Sequence, residues 1–171
     1  MRRTLFTFSL VAVLAIAATA HIASADSNPT FTAHLSGSEE VPSNASSATG
    51  QAIFQLDTAG GSLGYRLVVA NIDNVVAAHI HLAPQGVNGP VVAFLYGTAA
   101  PGGGTSNGVL ATGTITAANL VGPLAGHPLS DLIAAMEAGN TYVNVHTNDG
   151  VAPPNTGPGD FPGGEVRGQV R

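Results

Sequence analysis

Apolar and polar residues alternate along most of the chain with a period of two, which is the pattern of half-buried β-strands. In the segment FTAHL, for example, the apolar Phe31, Ala33 and Leu35 are separated by two polar residues. Seven more segments alternate in the same way, and clusters of Gly, Pro, Asn and Ser separate them. They are GQAIFQLD, SLGYRLVVANI, AAHIHL, GPVVAFLYG, VLATGTIT, TYVNVHT and GEVRGQV. Short strands at this spacing predict an all-β fold, an antiparallel sandwich or barrel.

Two segments depart from the strand pattern. PLSDLIAAMEAGN has helical character, with Ser130 or Asp131 as a candidate N-cap and Gly139 as a candidate stop signal. We predict one short helix here, covering the edge or the end of the sheet. The loop over residues 149–164 is rich in Pro and Gly and joins two strands that carry polar side chains. It is predicted either to lie over them as a flap or to be a plain connector.

The N-terminal residues, MRRTLFTFSLVAVLAIAATAHIASADS, have the layout of a secretory signal peptide. A basic start precedes an apolar run over residues 5–18, and small residues follow. The triplet ending at Ala25 fits an A-x-A cleavage site, so we expect loss of residues 1–25 and one mature domain, 26–171. A cut after Ala20 is the alternative. We therefore expect a secreted or periplasmic protein with no membrane span in its mature chain, because the apolar run is short for an uncleaved anchor and no other segment is long and apolar enough to cross a bilayer.

The chain is acidic and contains neither lysine nor cysteine. Its 5 arginines and 10 acidic residues give a formal net charge of −5 at pH 7, and loss of the two arginines at positions 2 and 3 would make it −7. Such a surface repels nucleic acid and anionic lipid, and it suits cations. Without disulfides, stability has to come from the core, from a bound ion, or from a protein partner such as a second copy.

Two histidines stand two residues apart in the fourth strand segment, AAHIHL. Positions i and i+2 of a strand point to the same side, so His79 and His81 share one face and Ile80 belongs to the opposite, apolar face. The segment TYVNVHT repeats this arrangement, with valines on the apolar face and His146 and Asn144 on the other. If the two strands are neighbours, three imidazoles converge on one patch outside the core.

Three neutral imidazoles on rigid strands form a good site for a transition metal. Copper is expected first and zinc second, because nitrogen ligands and the order of divalent-metal affinities favour copper. Three polar side chains on the same side of nearby strands are predicted to orient the ligands by contacts with them. They are Glu165, Asn144 and Arg167. In the alternative interpretation, the histidines are solvated or hydrogen-bonded polar residues of a sheet face.

The other candidates for chemistry are weaker. His34 and His127 are expected at the surface. Glu39 and Glu40 precede Pro42, and although carboxylate oxygens suit Ca²⁺, a solvated turn is predicted there. The sequence has no cysteine nucleophile, no serine predicted to lie in a strand-to-helix nucleophile elbow and no phosphate-binding glycine loop. It therefore favours a binding protein over an enzyme without deciding between the two.

Several motifs, read together, are similar to those of a known family. They are L-S-G-x-x-E-V-P, H-I-H followed by G-x-N-G-P-V-V, then Y-V-N-V-H-T and G-E-x-R-G-Q, in this order between about Phe31 and Arg171. The chain resembles the CHRD domain, which is named from the repeats of chordin and also occurs as single secreted bacterial domains. This resemblance implies a Greek-key-like β-sandwich of the immunoglobulin or superoxide-dismutase type and an extracytoplasmic location. It implies little about activity.

Two functions agree with these observations. The first is an exported CHRD-type domain that binds copper, or else zinc, through histidines on adjacent strands. The second is a non-catalytic extracellular module for binding or adhesion to a protein or a glycan, in which the histidines are structural.

Overall fold

The computed structural model describes residues 28–59 and 61–171, and the segment predicted to be a signal peptide lies outside them. Every predicted strand segment contains a strand, and one α-helix, α1, spans Leu129–Glu137. Short 3₁₀ turns cover Gly37–Glu39, Ala117–Asn119 and Gly122–Leu124. The strands are β1 (Thr30–Ser36), β2 (Thr49–Asp57), β3 (Ser62–Asp73), β4 (Val75–Leu82), β5 (Val91–Tyr96), β6 (Thr105–Ile115), β7 (Thr141–Thr147) and β8 (Val166–Gln169).

The described strands form one antiparallel sheet in the order β5-β4-β7-β8-β1-β2-β3-β6. The prediction of an all-β antiparallel fold with one helix is therefore confirmed. The last strand, β8, lies between β7 and β1, and the exchange of two backbone hydrogen bonds between Thr32 and Arg171 extends its contact with β1. Since the end strands β5 and β6 also meet, the sheet curls until it is nearly a barrel.

The hydrophobic core fills the inside of this curled sheet, as the period-two pattern predicts. Phe54, Leu63, Leu67, Ile80 and Val143 are fully buried there. Full burial of an aliphatic or phenylalanine side chain stabilises the fold by about 1.5–3 kcal/mol. The apolar face of each strand is thereby directed inwards, and the opposite face of β4, β7 and β8 is left for polar side chains.

The helix begins earlier than the sequence indicates. The residue at the N-cap is Pro128, not Ser130 or Asp131, and its extended backbone makes no side-chain cap. The buried Leu129 starts the helix, because tertiary packing of this apolar side chain outweighs the preference for a capping side chain. The predicted stop is confirmed, since Gly139 has a positive φ of 66° immediately after the helix.

The position of α1 relative to the sheet agrees with the prediction. Leu132, Ile133 and Met136 on one face of the helix are buried in the core. The helix lies beside Phe31 at the start of β1 and Leu56 near the end of β2, so that it covers this end of the sheet. Among the described residues, no helix combines the length and the apolar character that crossing a bilayer would require.

The loop over residues 149–164 folds back onto the sheet instead of forming a plain connector. Thr147 and Phe161 exchange two hydrogen bonds, from the Thr147 N–H to the Phe161 carbonyl and from the Phe161 N–H to Thr147 Oγ1. The Gly159 N–H donates to Glu165 Oε2 at 2.9 Å. This segment, hereafter the flap, covers the polar face of β7, as the first of the two sequence interpretations predicts.

Tyr65 links the two ends of the curled sheet. Its hydroxyl, on β3, donates a 2.7 Å hydrogen bond to the Leu95 carbonyl on β5. Its ring lies against Gly113, where a Cβ atom would come within 2.7 Å of the hydroxyl oxygen. The absence of a side chain at Gly113 thus allows the tyrosine to reach across the gap.

Removal of the Tyr65 hydroxyl should weaken this closure. We expect Tyr65→Phe to lower the free energy of unfolding by about 1 kcal/mol, the usual contribution of one hydrogen bond. Urea unfolding of the variant measures the change. Tyr96→Phe on β5 is the control, because no hydrogen bond of the Tyr96 side chain is seen in the structure, and equal stability of both variants would contradict this role for Tyr65.

Candidate metal centre

The antiparallel pairing of β4 with β7 brings the predicted histidines together. In this pair, Ala77 lies opposite His146, His79 opposite Asn144, and His81 opposite Tyr142. The intervening residues Ile80 and Val143 are fully buried in the core. The predicted adjacency of the two strands is therefore confirmed, and all three imidazoles lie on the face that points away from the core.

The three imidazoles form a compact group of nitrogen atoms. One ring nitrogen from each of His79, His81 and His146 lies within 4.8 Å of the other two. The closest approach, 3.1 Å, joins His79 Nδ1 to His146 Nε2. Two nitrogens bound to the same ion at about 2.0–2.1 Å are separated by roughly 2.8–3.4 Å, depending on the coordination angle. The distance between His79 and His146 falls within that range.

Backbone carbonyls determine the tautomers of two of these histidines. His81 Nδ1–H donates to the Gly89 carbonyl at 2.9 Å, and His146 Nδ1–H donates to the Pro162 carbonyl, also at 2.9 Å. A carbonyl oxygen only accepts, so each Nδ1 must carry the proton and each Nε2 a lone pair. The Nε2 atom of His81 is buried and has no hydrogen-bond partner among the residues that the structure describes. An unpartnered lone pair beside two other imidazoles is what a metal ligand requires.

Burial keeps the three imidazoles uncharged. It lowers the pKa of His79 to about 4, and the proximity of His146 and His81 contributes to this shift. Burial also lowers the pKa values of His81 and His146, although their hydrogen bonds to the backbone carbonyls act in the opposite direction. At neutral pH the cluster therefore offers three neutral nitrogen donors, for which protons do not compete.

Arg167 reaches the cluster through an aromatic stack. The His81 ring lies parallel to that of Tyr142, with 4.7 Å between centroids, and the Arg167 guanidinium carbon lies 3.4 Å from the centroid of the Tyr142 ring. The same guanidinium donates to Asn88 Oδ1 at 3.0 Å and to the Val87 carbonyl at 2.9 Å. Arg167 thus holds both the ring packed against His81 and the loop that supplies the Gly89 carbonyl.

Glu165 is placed away from the imidazoles but is connected to the flap. Its fully buried carboxylate accepts hydrogen bonds from Ser46 Oγ at 2.5 Å, Thr147 Oγ1 at 2.6 Å and the Gly159 N–H at 2.9 Å. It therefore ties the segment before β2, the end of β7 and the flap to one another. Its effect on His146 passes through the flap, which carries the Pro162 carbonyl.

Asn144 hydrogen-bonds to Glu40, which the sequence analysis placed in a solvated turn. Its Nδ2 donates to both carboxylate oxygens of Glu40, at 3.0 and 3.1 Å. The prediction of a solvated turn is wrong for Glu40, which is only 7% exposed, whereas Glu39 is exposed. The loops that cover this face of the sheet enclose Glu40, and its burial raises the pKa of the carboxyl group to about 7, although Arg167 and Asn144 act against the shift.

Several neighbours of the cluster were missed at the level of sequence. Phe94 of β5 lies edge-on to His79, with ring centroids 4.8 Å apart, and is 51% exposed. The Gly89 and Pro162 contacts are made by backbone carbonyls, which no residue type in the sequence identifies, so only the folded loops reveal them.

The two remaining described histidines lie at the surface as predicted, and His127 pairs with Asp131 at 2.8 Å.

Comparison with known proteins supports the resemblance seen in the motifs. The family model described as the CHRD domain matches residues 31–170, which include every strand of the site. A comparison with curated proteins found no match, and neither did a comparison with solved structures.

Glu165 should be a strong contributor to stability. We expect Glu165→Gln to lower the free energy of unfolding by about 2 kcal/mol, because the amide loses the charge-assisted hydrogen bonds of the buried carboxylate. Denaturant unfolding measures the loss. Glu137→Gln, at the exposed end of α1, is the matched control and should change stability by less than about 0.5 kcal/mol. A loss of similar size in the control would contradict the assignment.

Glu40 should make the stability of the protein depend on pH. Its folded pKa of about 7 lies above the ordinary value of 4.5, so the folded state binds more protons between these values and loses stability as the pH rises. Glu40→Gln removes this loss, and we expect it to be more stable than the unmodified protein at pH 8, by up to about 3 kcal/mol.

Thermal unfolding of the two proteins between pH 4 and pH 8 measures the difference. Taking the difference cancels the contribution of the histidines, which both proteins share. Glu39→Gln, at the neighbouring exposed carboxylate, should show no such trend. A stability difference between Glu40→Gln and the unmodified protein that does not change with pH would rule out this role for Glu40.

Proposed function

The chain belongs to the CHRD domain family, and we propose that it is an exported member that binds one transition-metal ion through His79, His81 and His146. The observation that carries this proposal is the buried Nε2 atom of His81, which has no hydrogen-bond partner and lies beside the nitrogens of the other two rings. Leaving a buried polar atom unpaired costs free energy, and an ion bound to all three nitrogens removes that cost.

Copper is the metal that we propose first, and zinc is second. All three ligands are neutral imidazoles, which suit both metals, and the general order of affinities places copper above zinc. The donors are held on two adjacent strands and by backbone carbonyls, which places them within 4.8 Å of one another, and the longest of these separations has to shorten when one ion binds all three. Three protein ligands leave one position of a four-coordinate ion to another ligand. We propose storage or delivery of the ion, and redox chemistry at the metal if that position stays open.

Export is the second part of this proposal. It is supported by the signal-peptide layout of residues 1–25, in which a basic start is followed by an apolar run and by small residues. We propose a secreted or periplasmic location on these grounds. Determination of the mature N-terminus tests it, and Asp26 is the expected first residue.

A binding or adhesion module with structural histidines is the second candidate. It is favoured by the hydrogen bonds that His81 and His146 make to backbone carbonyls and by the contact between His79 and His146. These contacts alone already give each ring at least one polar partner. In that case, the hydrogen bonds of the histidines hold the loops against β4 and β7. The function would then lie in the surface of the domain, which would bind another protein or a glycan.

Metal titration of the mature protein, without a histidine tag, distinguishes the two candidates. We expect one equivalent of Cu(II) to bind, and Zn(II) to bind more weakly at the same site. At a free metal concentration 100 times Kd, the free energy of unfolding should rise by about 2.7 kcal/mol. Calorimetric titration and thermal unfolding provide these measurements.

Substitutions of the histidines complete the test. His79→Ala, His81→Ala and His146→Ala should each weaken binding at least tenfold, because each removes one of three ligands. His34→Ala and His127→Ala, at exposed histidines outside the cluster, should leave it unchanged. Protein that gains no stability from either metal, or controls that lose binding equally, would favour the module with structural histidines.

A further inference from the structure

A cavity of about 330 Å³ lies where three loops meet on the outer face of the sheet. One wall comes from the segment after β1, which includes Glu40, Val41 and Pro42. Asn88 belongs to the loop between β4 and β5, and Phe161 to the flap. The cavity is therefore assembled only when all three loops are folded against the sheet.

Glu40 lines this cavity, and within the described part of the chain no cationic side chain hydrogen-bonds to its carboxylate. Its partners are the Asn144 side chain and the Val41 N–H, both neutral donors. The nearby Arg167 guanidinium directs its hydrogen bonds to Asn88 Oδ1 and the Val87 carbonyl instead. A carboxylate that is 7% exposed and has only neutral hydrogen-bond donors is costly to keep charged, and its pKa is raised even though the charge of the nearby Arg167 acts against the shift.

The chemistry of the walls indicates which cation fits. Glu40 is the single carboxylate that lines the cavity, whereas Ca²⁺ takes six to eight oxygen ligands, several of them from carboxylates as a rule. Val41, Pro42 and Phe161 provide apolar and aromatic surface beside the charge. An alkylammonium group combines an apolar stem with a charged tip, and aromatic rings attract such cations.

We propose that this cavity binds an alkylammonium group, with Glu40 as its counter-ion and Val41, Pro42 and Phe161 around its alkyl stem. The ligand belongs to another kind of molecule, because the chain contains no lysine. Asn144 fixes the position of the carboxylate through its hydrogen bonds to both oxygens. None of the three imidazoles lines this cavity, although the loops that form it also carry the Gly89 and Pro162 carbonyls that bind His81 and His146.

Titration of the purified mature protein with butylammonium chloride at pH 8 tests the proposal. We expect saturable binding, seen by NMR as shifts of the backbone amides of Val41, Gly163 and Gly164, with no shift at Gly113 on the far side of the sheet. Glu40→Gln should weaken binding at least tenfold. Glu39→Gln removes the same charge from an exposed neighbour and should change binding less than twofold.

Three results would overturn the proposal. The first is the absence of localised shifts in the unmodified protein, which does not depend on the folding of any variant. The second is binding of 1-butanol as tight as that of butylammonium, since the alcohol has the same stem without the charge. The third is saturable Ca²⁺ binding that is lost in Glu40→Gln, since the carboxylate would then serve an inorganic ion.

A further arm of the experiment distinguishes the two sources of an alkylammonium group. Nα-acetyl-lysine methylamide presents the group at the end of a lysine side chain, with backbone amides on both sides. Binding at least as tight as that of butylammonium indicates a lysine of a partner protein. Weaker binding of the amide indicates that the cavity takes a free amine.

Discussion

The antiparallel pairing of β4 with β7 is the constraint on which the site depends. Its register places His79 opposite Asn144 and His81 opposite Tyr142, so that His146 meets His79 diagonally across the pair. A shift of one residue in either strand would turn that strand's histidines towards the core and its apolar residues outwards. Because Ile80 and Val143 are fully buried, the free energy of core packing maintains the register. The position of the imidazoles is thus a consequence of hydrophobic burial on the other side of the same strands.

The loops above this face convert a row of polar side chains into an enclosed site. The Gly89 and Pro162 carbonyls orient two imidazoles, and each carbonyl is held by its own network. Arg167 fastens the first loop, and Glu165 fastens the flap at Gly159. Both charged side chains are almost completely buried, which is tolerated because their polar atoms are hydrogen-bonded. Apart from the contact between His79 and His146, the hydrogen bonds to the histidines in the described part of the chain therefore come from backbone carbonyls.

The sequence predicts some parts of this structure better than others, for identifiable reasons. Strands such as β2 and β4 are clear because their alternation is sampled over several residues and reflects burial on one side. The start of α1 was misplaced because a capping preference of about 1 kcal/mol is small beside the burial of Leu129. The prediction for the environment of Glu40 was also wrong, since local sequence contains no information about Asn144 of β7, which lies more than a hundred residues away along the chain and donates to the carboxylate.

The sequence by itself determined the all-β class, the family and the face on which His79, His81 and His146 lie, because each follows from short-range periodicity or from local motifs. Only the tertiary structure decided that β4 and β7 are neighbours, that two tautomers are set by loop carbonyls, and that Glu40 lines a cavity. Periodicity specifies which side of a strand an atom occupies. The distance between atoms of different strands and loops depends on long-range packing, which no local pattern encodes.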